Sequence, residues 1–234
     1  RSRYGIPPEA RVVGHVGRLA PEKNLKYLAR AVGSFLEQHS EARFLLVGEG
    51  PSLEAVQQEL TRRGVADRLH HPPRALGGTD LADAYHSMDV FAFASHSETQ
   101  GMVLPAARPA GLPVIALDAP GAREVVRDGE NGRLLTADAE ETAFAAALGE
   151  FANLPSAGRK RLAAGARKTA EDFTLERCAG RMLAIYERAI GERRGRPIED
   201  DPWSILTRRI EDEWRLWSAR GQALGEALSG EDVA

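Results

Sequence analysis

The chain has a single cysteine, Cys178, and its aromatic residues make up only 6% of the 234 residues. One thiol excludes an internal disulfide framework and suits a reducing compartment, so we expect a cytoplasmic protein. No apolar run approaches the ~20 residues of a membrane span, and no apolar leader opens the chain. The 31 basic and 34 acidic residues give a formal net charge of −3, which offers no support for broad electrostatic binding of nucleic acid.

Metal-ligand spacing and two common nucleotide-binding motifs are also missing. The six histidines are not spaced as metal ligands, so no metal site is expected. No Gly-Lys-Ser/Thr follows the first predicted strand, as a Walker loop requires. Gly14-His15-Val16-Gly17 lacks the glycine spacing of the dinucleotide fingerprint.

The overall composition, with 43% hydrophobic and 28% charged residues, is typical of a folded globular protein. The length predicts one large domain or two small ones. The first residues, Arg1 to Pro8, include no initiator Met and resemble a linker that feeds directly into a strand. We therefore expect a piece of a longer protein.

Short apolar, β-rich runs alternate with helical patterns along the first part of the chain. The predicted strands are Val12–Arg18, Arg43–Gly48, Arg68–His71, Val90–Ala94, Pro113–Leu117 and Gly132–Leu135. This alternation predicts an α/β fold, a parallel sheet with helices on both faces. From about Asp138 onward the pattern is helical, and we place the domain at residues 1–192, followed by a hinge and an amphipathic helix at 193–234.

The predicted C-terminal helix carries a stripe of apolar residues at steps of three and four. The stripe comprises Trp203, Leu206, Ile210, Trp214, Trp217, Leu224 and Leu228. We expect it to pack on this domain or on a missing one, with a partner helix as the alternative. A membrane-surface helix is disfavoured, because the acidic residues 211–213 offset the neighbouring arginines.

Ligands of open α/β sheets bind beyond the carboxyl ends of the strands, and the first such segment here is rich in cations. Glycines 14 and 17 bring the backbone in close, and Arg18 and Lys23 follow within six residues. Lys23 comes just before a helix start, for which Asn24 is a possible N-cap, and free backbone N–H groups there favour an anion. The segment predicts a phosphate grip, and a solvated loop with ordinary surface charges is the alternative.

A carboxylate and a glycine follow the fourth strand. Glu98 precedes Gly101, and a helix begins there, so a hydroxyl acceptor lies beside backbone donors at residues 101–103. That combination suits a ligand with both sugar hydroxyls and phosphate, although such a carboxylate can also serve as a helix-capping charge. A third tight turn onto a helix, Asp118–Glu124, follows the fifth strand.

Together these segments resemble the C-terminal half of a retaining glycosyltransferase of family 4 (group 1), which has the GT-B fold. The resemblance extends from about Tyr4 to Tyr186 and is specific because the motifs occur in the family's order. They are Gly17-Arg18-Leu19-x-x-Glu22-Lys23-Asn24, Val47-Gly48-x-Gly50-Pro51, Ser97-Glu98-Thr99-x-Gly101, Ala110-Gly111-x-Pro113-Val114 and Gly121-x-x-Glu124-x-Val126-x-Asp128-Gly129-x-Asn131-Gly132.

The resemblance implies a Rossmann-like domain that binds a nucleotide-diphosphate sugar. Arg18 and Lys23 would hold the diphosphate and stabilise it as the leaving group. Glu98 would accept hydrogen bonds from the sugar hydroxyls. The remaining donor-binding residues implied are Gly17, the loop residues Arg74 and Leu76 beside the base, Gly101, Met102, Val103 and Ala106. The family generally needs no tightly bound metal, and we expect no cofactor besides the donor itself.

The sequence departs from the family pattern at Ala106, where the family has a second glutamate that binds the ribose hydroxyls. A lost charged hydrogen bond is worth ~1.5–3 kcal/mol, or roughly tenfold to a hundredfold in affinity. Either donor binding is weakened, another residue substitutes, or the site has decayed. Arg108 and Gln100 are nearby but weak substitutes, since neither is a carboxylate.

The acceptor-binding N-terminal half of the family is also missing from this sequence. We therefore expect the chain to bind a donor but not to transfer sugar efficiently alone, and any peripheral membrane contact would come through the missing half. A degenerate, non-catalytic nucleotide-sugar-binding or assembly module is the second hypothesis. A related GT-B enzyme, such as a sugar-nucleotide epimerase, is the third.

Overall fold

A computed structural model describes residues 1–73, 76–95, 103–194, 207 and 209–215. The chain divides into two compact units, residues 1–178 and 179–234. The predicted domain boundary after residue 192 stays a prediction.

The first unit contains a parallel sheet of six strands. They are β1 (Arg11–Val16), β2 (Ala42–Val47), β3 (Leu69–His70), β4 (Val90–Phe93), β5 (Val114–Leu117) and β6 (Gly132–Leu135). Their order across the sheet is β3-β2-β1-β4-β5-β6, and every neighbouring pair is parallel. The predicted α/β class is confirmed, with each strand within a few residues of its predicted bounds.

The helices lie between and after the strands. They are α1 (Leu25–Gln38), α2 (Leu53–Arg62), α3 (Gly78–Ser87), α4 (Val103–Ala107), α5 (Ala122–Val125), α6 (Glu141–Ala152), α7 (Ser156–Ala170) and α8 (Leu175–Arg194). A buried apolar cluster joins α1, α2 and α6 to one face of the sheet, and a second joins α3, α4 and α5 to the other. Helices thus cover both faces, which explains why β4 and β5 are continuous apolar runs buried at every residue.

Because consecutive side chains of a strand point to opposite faces, β1 and β2 contribute to both clusters. Val13 and Phe44 belong to the first, and Val12 and Leu45 belong to the second. A slip of one residue in register would exchange these two sets and their partners.

Two local expectations need correction. Asn24 does precede α1, but it lies in the left-handed region, with φ of 53°, and its side chain makes no capping hydrogen bond. The helix predicted over residues 102–110 ends at Ala107, and its described part is Val103–Ala107. Pro105 is tolerated because the first turn of a helix has no intrahelical partner for its N–H groups, and Pro109 lies beyond the end.

The second unit is described only in part. Along the part of α8 that follows Cys178, five large apolar side chains are exposed: Met182, Leu183, Ile185, Tyr186 and Ile190. Residues 209–215 are helical, with Ile210 and Trp214 exposed. The other members of the predicted stripe lie outside the described residues, so its packing partner stays a prediction.

Candidate functional site: the carboxyl edge of strands β1 to β4

The loops after β1 and β2 are joined by backbone hydrogen bonds. Leu19 N donates to Glu49 O at 2.8 Å, and Ser52 N donates to Leu19 O at 2.8 Å. From β1 the chain first adds β2 and β3 on one side of the sheet and then crosses over to add β4 on the other side. Open α/β sheets bind ligands at such a switch point. The two loops therefore form one wall of the candidate ligand-binding edge.

The close approach of these loops depends on Gly48 and Gly50. Both have a positive φ, 140° and 150°, in a region that side chains rarely adopt. A Cβ atom on Gly48 would lie 1.8 Å from Gly17 O, and one on Gly50 would lie 2.3 Å from Leu19 O. The two glycines therefore let the loops after β1 and β2 pack backbone against backbone.

Two further side chains tie the loops of neighbouring strands together. His71, just after β3, donates from Nε2 to Gly48 O at 2.8 Å. Ser95, just after β4, is buried and its Oγ donates to Glu22 O at 3.1 Å. The ends of β1, β2, β3 and β4 are thus held as one unit.

Both predicted phosphate-binding cations lie in the loop after β1. Arg18 is 73% exposed, and its guanidinium forms an ion pair with the Glu22 carboxylate. Lys23 is half-buried at the end of a 3-10 turn, Pro21–Lys23, and one residue, Asn24, separates it from α1. The loop thus presents positive charge at the start of a helix, where the helix dipole also favours an anion.

The other predicted donor-binding residues divide into those described and those not. Gly17 directly follows β1, Leu76 is half-buried before α3, Val103 begins α4, and Ala106 is exposed on α4. Arg74, Glu98, Gly101 and Met102, together with Gln100, lie outside the described residues.

Arg108 is not a substitute for the ribose-binding glutamate. Its side chain is fully buried, and it donates from Nη1 to Asn131 O at 2.9 Å and from Nη2 to Val125 O at 3.2 Å. It therefore points into the packing between α4, α5 and β6, whereas Ala106 is exposed.

Sequence reasoning gave no role to Glu22, Ser95 or His71. Glu22 stands four residues after Arg18, a spacing that brings side chains together in a helical turn, so its pairing was foreseeable. The contacts of Ser95 and His71 join separate strands and leave no local signal. Within the described part of the chain, no group of three or more His, Cys, Asp or Glu side chains could hold a metal ion.

No helix among the described residues is long and apolar enough to cross a membrane.

Residues 10–153 match the family model of glycosyl transferases group 1. A D-inositol 3-phosphate glycosyltransferase of Streptomyces scabiei is 33% identical over 203 residues, covering 83% of this chain and 45% of the relative. One from Actinosynnema mirum is 36% identical over 199 residues, covering 81% of this chain and 47% of the relative. The chain thus spans about half the length of the curated relatives it matches.

A solved structure also has this fold. Anabaena Alr3699/HepE, in complex with UDP and glucose, superposes with a TM-score of 0.66 at 26% identity, covering 79% of this chain and 50% of that one.

Proposed function

The chain belongs to the glycosyl transferases group 1 family, and we propose that it is the donor-binding, C-terminal half of a retaining family 4 glycosyltransferase. In this proposal it binds a nucleotide-diphosphate sugar, and the whole protein transfers the sugar to a hydroxyl acceptor. The observation that carries the proposal is the close backbone contact of the loops after β1 and β2 at Gly48 and Gly50, with Arg18 and Lys23 on the first of these loops. The D-inositol 3-phosphate glycosyltransferases and the neighbour in complex with UDP and glucose support it.

The proposed chemistry is stabilisation of a departing diphosphate. When the bond between the sugar and the phosphate breaks, negative charge accumulates on the leaving group. Arg18 and Lys23 would contact that charge, and preorganised cations are worth most where charge develops in the transition state. We propose that these cations serve in place of a resident metal.

Other segments would hold the rest of the donor. Glu98 would accept hydrogen bonds from the sugar hydroxyls, beside backbone donors at residues 101–103. The loop with Arg74 and Leu76 would flank the base. The acceptor would be bound by an N-terminal domain, which is the proposed partner. This chain alone would therefore bind the donor but would not transfer the sugar efficiently. We place the protein in the cytoplasm.

The first prediction is that one nucleoside diphosphate among UDP, GDP, ADP and TDP stabilises the chain. An affinity of about 10 μM at about 1 mM ligand corresponds to about 2.7 kcal/mol of stabilisation. For a domain of this size that raises Tm by about 5–10 °C. Thermal unfolding with each nucleotide measures the shift and identifies the base.

The matched controls are Lys23→Ala and Lys26→Ala. Lys26 is exposed one helical turn further along α1, so both variants remove one positive charge at nearly the same place. Lys23→Ala should weaken binding by roughly tenfold to a hundredfold, and Lys26→Ala should leave it nearly unchanged. Equal effects, or no shift with any nucleotide, would contradict the proposal.

The second prediction concerns Ala106. Alanine at this position, in place of the family's glutamate, favours a degenerate binding module as the second candidate function. If the site is functional, Ala106→Glu should restore a ribose acceptor and tighten binding by roughly tenfold to a hundredfold. The variant should also prefer a nucleotide over its 2′-deoxy analogue, whereas the unmodified chain should bind both equally.

Ala106→Gln is the control, since it adds similar volume without charge and should give a smaller gain. Titration calorimetry measures the affinity of the unmodified chain, Ala106→Glu and Ala106→Gln for the nucleotide and for its 2′-deoxy form. If Ala106→Glu changes neither affinity nor ribose preference, the degenerate module becomes the better account.

A further inference from the structure

Glu22 introduces a negative charge into the loop that carries both phosphate-binding cations. Its carboxylate pairs with the Arg18 guanidinium, although both side chains are accessible, at 38% and 73% exposure. Its main-chain carbonyl is held by the buried Ser95. The loop therefore keeps the carboxylate beside the cation that the proposed function assigns to the diphosphate.

An anionic ligand cannot use Arg18 fully while Glu22 occupies the guanidinium. An exposed ion pair is worth only ~0–1 kcal/mol, so a diphosphate with several charges can displace the carboxylate. The displaced carboxylate would still repel the ligand, because two like charges about 4 Å apart interact by about 1 kcal/mol even in water. Both effects lower the affinity for the diphosphate.

We propose that Glu22 is an internal counter-ion that competes with the diphosphate for Arg18 and thereby sets how tightly the nucleotide is held. This inference rests on the proposed function. In the full protein the same competition would favour release of the nucleoside diphosphate product, because the carboxylate re-pairs with Arg18 as the product leaves.

The test is Glu22→Gln, which preserves shape and the main-chain bond to Ser95 while removing the charge. Calorimetric titration with the nucleoside diphosphate that stabilises the chain should show about threefold to tenfold tighter binding at low salt. The gain should shrink as salt is raised, because exposed charges are screened. Glu41→Gln, an exposed site just before β2 and so at the opposite edge of the sheet, makes the same change in net charge and should have no effect.

A double-mutant cycle with Arg18→Ala isolates the competition. Without the guanidinium, Glu22→Gln should give a clearly smaller gain, since only direct repulsion of the ligand is relieved. Unchanged or weaker binding by Glu22→Gln in a chain that binds nucleotide overturns the inference and leaves the proposed function standing. If Glu22→Gln tightens binding equally with and without the Arg18 side chain, Glu22 does not compete for Arg18, and this outcome also overturns the inference. If no nucleotide binds either the unmodified chain or Glu22→Gln, the proposed function fails and the inference fails with it.

Discussion

Replacing Gly48 by alanine should destabilise the fold by about 2–6 kcal/mol, because backbone strain and steric overlap each cost about 1–3 kcal/mol. The new Cβ would lie 1.8 Å from Gly17 O, a backbone atom that cannot move aside like a flexible side chain. The loops after β1 and β2 would have to separate. Tm should fall by about 4–24 °C, and nucleotide binding should be lost when the two loops separate.

Gly64→Ala is the matched control for this prediction. Gly64 also has a positive φ, 71°, but nothing lies within 4 Å of the position a Cβ would take. It should therefore cost only the conformational penalty of about 1 kcal/mol. Thermal and denaturant unfolding of the two variants, with calorimetry for binding, separates strain from overlap. Equal losses would show that the close approach of the two loops is not what requires Gly48.

Arg108 gives the other large expected effect, and its sign depends on the substitution. Arg108→Ala should destabilise by about 2–5 kcal/mol, as truncation of a buried large side chain does. Arg108→Met should be neutral or stabilising by up to about 4 kcal/mol, because it fills the space without burying a charge. Denaturant unfolding of the unmodified chain and both variants measures these differences.

The polar surroundings of Arg108 explain why methionine is tolerated. Val125 O also accepts a hydrogen bond from Asn131 Nδ2 at 3.0 Å, and Asn131 O accepts one from Val114 N at 3.3 Å. Both carbonyls thus keep a donor when the guanidinium is removed. Arg108 Nε itself is buried without a hydrogen-bond partner, so the charge is costly to retain.

The pH dependence follows from the same burial. Desolvation first, and repulsion by Arg127 second, lower the pKa of Arg108 from its ordinary value to about 10. Since the folded pKa lies below the ordinary value, the charged form destabilises the fold below about pH 10, and this cost declines as pH rises from there towards the ordinary pKa of arginine. The advantage of Arg108→Met should therefore be constant between about pH 7 and 9. If methionine destabilises as much as alanine, the hydrogen bonds of the guanidinium outweigh its desolvation.

Local patterns account for the parts of the fold that sequence reasoning predicted. Apolar runs such as residues 90–93 and the helical spacing in α1 reflect interactions within a few residues, so their positions are readable from the chain. The failed capping role of Asn24 shows the limit of such patterns. Its residue type suits a cap, but the turn from Pro21 to Lys23 forces a left-handed conformation in which the side chain does not cap.

The candidate site shows the same division. The location of Arg18 and Lys23 after β1 and just before α1 was predictable from the order of strand and helix patterns, and their role in binding phosphate stays a prediction. Arg108 was considered near the ribose, yet it lies just beyond α4, where its side chain is buried and donates to Asn131 O and Val125 O. These acceptors are distant in the chain, so the direction of the side chain could not be decided without its packing partners.

The amino-acid sequence by itself determined the α/β class, the six strands, the family and the loop that carries Arg18 and Lys23. Only the tertiary structure decided the strand order, the contact that requires Gly48, the counter-ion of Arg18 and the burial of Arg108. The reason is physical. Backbone periodicity and turn chemistry act over a few residues, whereas strand pairing, loop contact and the desolvation of a charge depend on groups that are distant in the chain.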